Sequence, residues 1–430
     1  MTLVFLGGEP TVLYLTFLFL LVYGMVSSWG SVKAVVANVV SLLFSLLVAA
    51  GLSAIQLIPF LEVVGLSYRT VHPDFGFISA GSFPPRELLN FVFPFFFGNP
   101  ILGTYEKGLL GDQFQTWLLS PYLGIFPIIF SLLSLLKTNR KIMFFWLMAV
   151  FSFLLAFGRF TPVYGWFFNL LPGIAMIRYP VKFIFLAVFS LSVLGGLGFE
   201  VIQGILIKQK KQLERLIFVL GILLILLGGF YLWGKGATDQ IFLYLRGFYP
   251  AYLHPYLVDL LWKLIYSNLW SLSNLVLTLG LGLAAFYLAY KEVFSKGTVL
   301  FVIFGIVLVD LVLVNMGVNP PGDSRVFSEL TPNLQIIKAD RGQYRYYVTP
   351  RSGQENVLVQ LTFSQSLYNQ KDNLQLNWAV VHQVPSILGR ESIEPRPVKV
   401  LANADEKLLD LANVKYIISD KPIRGLKLLR

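Results

Sequence analysis

Ionisable residues crowd into one stretch between two apolar runs, and chemistry is most plausible there. Residues 59–113 hold Glu62, Arg69, His72, Asp74, Arg86, Glu87, Glu106, Lys107 and Asp112. A carboxylate among them, with Asp74, Glu87 and Asp112 as the candidates, could deprotonate an acceptor hydroxyl. Arg69 or Arg86 could meanwhile bind the phosphate of a lipid-linked donor. The competing reading of each charge taken singly is a helix cap that faces water. A second cluster closes residues 160–182, where Arg178 and Lys182 follow a proline-broken apolar stretch. Four residues apart, they share one helix face if Pro180 permits, and two cations at a membrane surface suit a phosphate or diphosphate headgroup. Snorkelling to lipid phosphates is the plainer use of the same residues. The third candidate is Asp310, alone in an apolar run. A carboxylate there costs about 2.5–3.5 kcal/mol on insertion scales unless it faces a partner or a wet cavity. Asp310 is therefore expected to face polar groups within a bundle, with a structural hydrogen bond favoured over a functional charge.

Other chemistries find no residues. There is no cysteine, and the three histidines, His72, His254 and His382, stand far apart, so no metal site is expected. No phosphate-binding Gly loop, G-x-S-x-G or H-E-x-x-H is present. No cofactor is evident, and the need for a divalent cation stays open.

The elements that must position these residues are membrane spans. Of 430 residues, 56% are hydrophobic and 13% charged, against roughly 45–50% and 25% in soluble domains. A span needs about 20 apolar residues. Such runs occupy 10–32, 34–61, 113–136, 142–158, 183–199, 216–234, 264–290 and, broken only by Asp310, 297–318. Residues 88–105 and 160–177 are as long but carry Pro94, Pro100, Pro162 and Pro172, and read as re-entrant or interfacial segments. The expectation is an all-α polytopic membrane helix bundle of about eight spans over residues 1–318.

Basic residues orient it. Lys33, Lys137, Arg140, Lys141, Lys208, Lys210, Lys211, Arg215, Lys291 and Lys296 crowd one set of short connections, which the positive-inside rule makes cytoplasmic. The long loops 59–113, 158–181 and 234–270 then lie outside, as does everything after Val318. The net charge of +11 is thus mostly anchoring charge, and membrane lipids rather than nucleic acid are the expected partners. This orientation puts Met1 outside although nothing before Thr11 resembles a signal peptide, so a partial chain is expected. Residues 319–430 carry 26 charged residues in 112. There YRYYVT (344–349) and VKYIIS (414–419) read as strands and 406–412 as a short helix. A small extracytoplasmic α/β domain is expected, truncated at the strand-like stretch 426–430.

Several short motifs, in order, resemble the YfhO family of bacterial membrane proteins. They are QLIPFLE (56–62) running into SYR (67–69), PRELL (85–89) leading to FPFFFG (93–98), and YLGI (122–125). GRFTPVY (158–164), RYPVKF (178–183) and LDLANVKYIIS (409–419) follow. LGGEP (6–10) is similar to a stretch that in the family follows several earlier spans, with Glu9 where His is usual. The resemblance implies a glycosyltransferase of GT-C type that takes sugar from a polyprenyl-phosphate donor for a cell-envelope polymer acceptor, teichoic or lipoteichoic acid among them. It also implies that the usual catalytic carboxylate belongs to an outer loop upstream of Met1. The alternatives are a transporter or lipid flippase, with the proline-broken segments and Asp310 lining a path, and an envelope scaffold.

Overall fold

Pro10 occupies the first position of helix α1 (Pro10–Ser27), where its missing N–H costs nothing. Ser31 caps α2 (Val32–Leu52) by accepting from the Ala34 amide at 3.3 Å. Helix α3 (Ala54–Leu66) follows. After the short helix Phe75–Ile78, the 3-10 turn Pro85–Phe91 and a set of tight turns, α4 runs over Ile125–Leu133. Asn139 caps α5 (Arg140–Ala156) through the Ile142 amide at 2.9 Å. Then come α6 (Pro162–Leu170), α7 (Ile184–Lys208), α8 (Lys210–Gly236), α9 (Thr238–Arg246) and α10 (Pro255–Tyr290). Ser295 caps α11 (Lys296–Asn315) through the Thr298 amide at 3.1 Å. This is a computed structural model, and it describes residues 1–66, 75–99, 104, 120–170, 179–248, 255–318, 323–340, 342–349, 363–375, 377–387, 405–419, 422–423, 426–427 and 429.

The chain divides into two compact units, Met1–Ile55 with Asp74–Asn319, and Gln56–Pro73 with Pro320–Arg430. Among the described residues of the first unit, six helices are long and apolar enough to cross a membrane: Pro10–Ser27, Val32–Leu52, Pro180–Ile207, Lys210–Gly236, Val258–Tyr290 and Lys296–Asn315. The protein is a multi-pass, all-α membrane bundle. Its outward faces are apolar, as lipid demands: on α2 Val36, Val40, Phe44 and Leu47 all point away from the protein.

Helix α7 is the centre of the bundle, packing on α4 and α5. A Cβ on Gly198 would lie 1.6 Å from the Phe130 carbonyl oxygen, and one on Gly195 3.1 Å from that of Pro127. Small residues one turn apart thus let the α4 and α7 backbones meet. One apolar core gathers Leu15, Phe19, Phe144, Phe145, Leu155, Tyr164 and Phe183. The other gathers Phe126, Phe130, Ile202, Leu220, Leu279, Phe286 and Ile303.

The span expectations need adjusting in three places. The run 142–158 is α-helical only to Ala156, within the 17 residues of α5, shorter than the six long helices. Of the run 113–136, the described residues 120–124 are not helical, and helix starts at Ile125 after Gly124 (φ +85°) turns the backbone. The expected outer loop 234–270 is largely helical. Helix α10 starts at Pro255, well before residue 264, since Asp259 and Lys263, which interrupt the hydropathy, pair across one turn at 2.8 Å. Helix α9 lies against this early part, with Phe242 stacked on Trp262 at 4.6 Å.

In the second unit, strands β1 (Arg345–Val348) and β2 (Val414–Ile418) pair in parallel, Tyr346 opposite Tyr416 and Val348 opposite Ile418. Both strands and the helix Glu406–Leu411, capped by Asp405 through the Leu408 amide at 2.9 Å, fall where the sequence places them. Of residues 426–430, the described ones form no strand. Leu334, Tyr346, Leu374, Ala379 and Val384 make the core of this unit.

Candidate functional site

Two of the expected outer loops are woven into one platform. The Phe83 amide donates to the Ala156 carbonyl at 2.8 Å, the Tyr179 amide to Ile78 at 3.2 Å, and the Val181 amide to Gly81 at 3.1 Å. Residues 78–83 therefore bridge the end of α5 and the turn that opens α7. Ser82 Oγ accepts from the Arg159 amide at 3.0 Å while donating to the Ser79 carbonyl at 2.6 Å. The fit depends on glycine. A Cβ on Gly158 (φ +50°) would fall 2.0 Å from Ser82 Oγ, and one on Gly81 (φ +76°) 2.4 Å from the Tyr179 ring.

The adjoining turn, residues 93–98, is held by side chains. Asn90 Oδ1 accepts from the Phe96 amide at 3.0 Å. From α10, Asn268 donates to the Phe96 carbonyl at 3.2 Å and Ser271 to that of Pro94 at 2.8 Å. These bonds satisfy the non-helical backbone of a proline-broken apolar segment.

On this platform Arg86 is exposed, its guanidinium 5.6 Å from the centre of the Phe97 ring. Its N–H donors make no hydrogen bond to the described residues, so they can meet an anion. Its neighbour Glu87 is buried in the 3-10 turn. Lys182 is only 11% exposed at its side chain and pairs with Glu9 at 2.8 Å, with Thr11 Oγ1 at 3.4 Å. The expected helix face shared by Arg178 and Lys182 falls partly outside the described residues, and those described, 179–183, form no α-helical turn. Tyr179 takes a left-handed φ of 71° and Pro180 starts a 3-10 turn, because a residue before proline is pushed out of the helical region. Arg178 itself, with Arg69, Asp74 and Asp112, lies outside the described residues.

Asp310 lies elsewhere in the same unit and is 4% exposed. It falls on the buried stripe of α11 with Val299, Ile303 and Val314, while Phe304, Leu308, Val309 and Val312 face outward. The Asn274 amide donates to its Oδ1 at 2.7 Å, the Tyr122 hydroxyl to its Oδ2 at 2.8 Å, and the Thr278 hydroxyl is a third partner. Asp310 thus faces polar groups within the bundle rather than lipid. Sequence reasoning missed its partners. The signal was a row of polar residues in α10, Asn268, Ser271, Asn274 and Thr278, spaced three or four apart along one face; nothing singles out Tyr122.

Among the described residues no group of three or more His, Asp or Glu side chains stands close enough to hold a metal ion. One perturbed carboxyl outside the spans lies in the second unit. Bonds from Lys415, the Gly342 amide and Tyr416 hold the Asp340 carboxyl down at about 2. No family model matches the chain, and neither a curated protein nor a solved structure does.

Proposed function

We propose that this protein is a GT-C-type membrane glycosyltransferase of the YfhO kind, drawing sugar from a polyprenyl-phosphate carrier at the outer face for a cell-envelope polymer. The observation that carries the reading is the platform itself. Residues 78–83, which lead directly into the motif at 85–98, tie the stretches 158–164 and 179–183 together through hydrogen bonds and glycine contacts. A connection as long as 59–113 is more often functional than ornamental. Arg86, exposed over an aromatic ring beside buried Glu87, gives it a cation at the edge of an apolar surface, which suits a lipid phosphate.

In this reading Arg86, Arg69 and Arg178 hold the donor phosphate. Lys182 contributes only after Glu9 is displaced. Asp74, Glu87 and Asp112 are the carboxylates available on this chain to accept a proton from the acceptor. The small C-terminal unit, read as α/β, lies on the outer side with the donor. A transport path through Asp310 is less supported, since both its carboxyl oxygens already have partners.

The test is transfer from a polyprenyl-phosphate sugar in membrane vesicles containing the full chain. Arg178→Ala and Arg86→Ala should weaken apparent donor affinity about ten- to a hundredfold, and Arg→Lys at each site by less, because an ammonium is only a point charge. Alanine variants with unchanged donor affinity and turnover would reduce both residues to lipid anchors.

A further inference from the structure

Asp310 is surrounded by donors, with no counter-charge among the described residues. Its Oδ1 takes the Asn274 amide at 2.7 Å and its Oδ2 lies 2.8 Å from the Tyr122 hydroxyl, with Thr278 adjoining. Among the described residues every ion pair lies elsewhere. An ionised carboxylate buried in an apolar bundle needs a cation or a hydration shell. The protonated acid needs only one acceptor, and the hydroxyls of Tyr122 and Thr278 can both accept as well as donate. A side-chain amide nitrogen can only donate. Oδ1 is therefore the carbonyl oxygen, and the proton belongs on Oδ2.

We propose that Asp310 is a neutral carboxylic acid in the folded protein, and that it is a positioning residue which latches residues 120–124 onto α10 and α11. The surroundings are shaped for this. A Cβ on Gly124 would lie 3.1 Å from Asp310 Oδ2, and the backbone there takes φ +85°, so a side chain at 124 would crowd the acid and strain the turn. One turn along α11, Val314 packs with Tyr122 and Phe95, which adds an apolar clasp beside the polar one. The latch thereby fixes where α4 begins. This inference does not rest on glycosyl transfer and would stand if that reading failed.

Infrared spectroscopy of the full chain in lipid nanodiscs tests it. At a pH of about 7.5 exposed aspartates are ionised, so a carboxylic-acid C=O band that moves on 13C-aspartate labelling of the unsubstituted protein reports a buried neutral aspartic acid. The band should vanish in Asp310→Asn and shift upward in frequency in Tyr122→Phe, which removes one hydrogen-bond partner. Asp310→Asn should keep the thermal midpoint, because the amide can still pair with both hydroxyls, and Asp310→Leu should lower it. Finding only carboxylate bands in the labelled protein would overturn the neutral acid. A leucine variant as stable as the parent would overturn the latch.

Discussion

Glu9 and Lys182, 173 positions apart, form an ion pair of 2.8 Å that joins the first residue before α1 to the turn that opens α7. Each partner explains the other. A lysine at the amino end of a long helix meets the positive end of that helix dipole, whereas a carboxylate at the N-cap of α1 is favoured there. Glu9 relieves the repulsion on Lys182, and Lys182 is too shielded to be left unpaired cheaply.

The pair should therefore be measurable as a coupling. Glu9→Gln is expected to lower stability by on the order of 1–2 kcal/mol, between the values of exposed and buried pairs. Lys182→Met should cost a similar amount, and the double substitution should cost less than the sum. Thermal unfolding in detergent, followed by tryptophan fluorescence, reads all four proteins. Strict additivity would mean that the two side chains do not sense each other.

Glycines on α7 divide into two kinds. Gly198→Ala puts a methyl group into the Phe130 carbonyl and should separate α4 from α7, costing about 1–3 kcal/mol or preventing assembly. Gly204→Ala meets nothing within 4 Å and should be neutral or stabilising by up to roughly 1 kcal/mol, from helix propensity alone. The same unfolding assay checks both, and equal effects would refute the close approach of the two backbones.

Topology is tested with reporter fusions. Those after Arg140 and Lys211 should read cytoplasmic, and those after Lys107 and Arg341 outside, since the basic connections cluster that way. A cytoplasmic reading after Arg341 would remove the basis for chemistry at the outer face.

The spans are legible in the sequence because lipid imposes a length and a polarity that local composition reports. The caps at Ser31, Asn139 and Ser295 are local too. Less legible is the early start of α10, where Asp259 and Lys263 look like loop charges until a helical turn pairs them. Least legible are contacts set by long-range packing. Asp310 announces that it needs a partner, and Asn274 and Thr278 share a periodicity that betrays a face. Tyr122, 188 residues away from Asp310, follows from the fold alone. So does the pairing of Lys182 with Glu9.

The second unit should be sensitive to mild acid through His382. This imidazole is 5% exposed, stacked on Trp378, and its Nε2 has no hydrogen-bond partner among the described residues. Burial, and then the charges of Lys371 and Lys338, push its pKa below the usual value. Lys371 is fixed nearby, bonded to the carbonyls of Val326 and Glu329 and facing the same Trp378 ring. Because the folded-state pKa is lowered, the unfolded chain takes up the proton first as the pH drops through about 6.5. The stability that neutral His382 contributes is thus present above that pH and lost below it. Asp340 cannot produce the same change. Its carboxyl is held at about 2, so its contribution is present above the unfolded value of roughly 4 and lost only between there and about 2. Amide hydrogen exchange of β1 and β2 in the full chain, corrected for intrinsic rates, should therefore show protection falling between about pH 7 and 5. His382→Gln should flatten that slope, while Asp340→Asn should leave it in place. A slope that survives His382→Gln would assign the titration to another group.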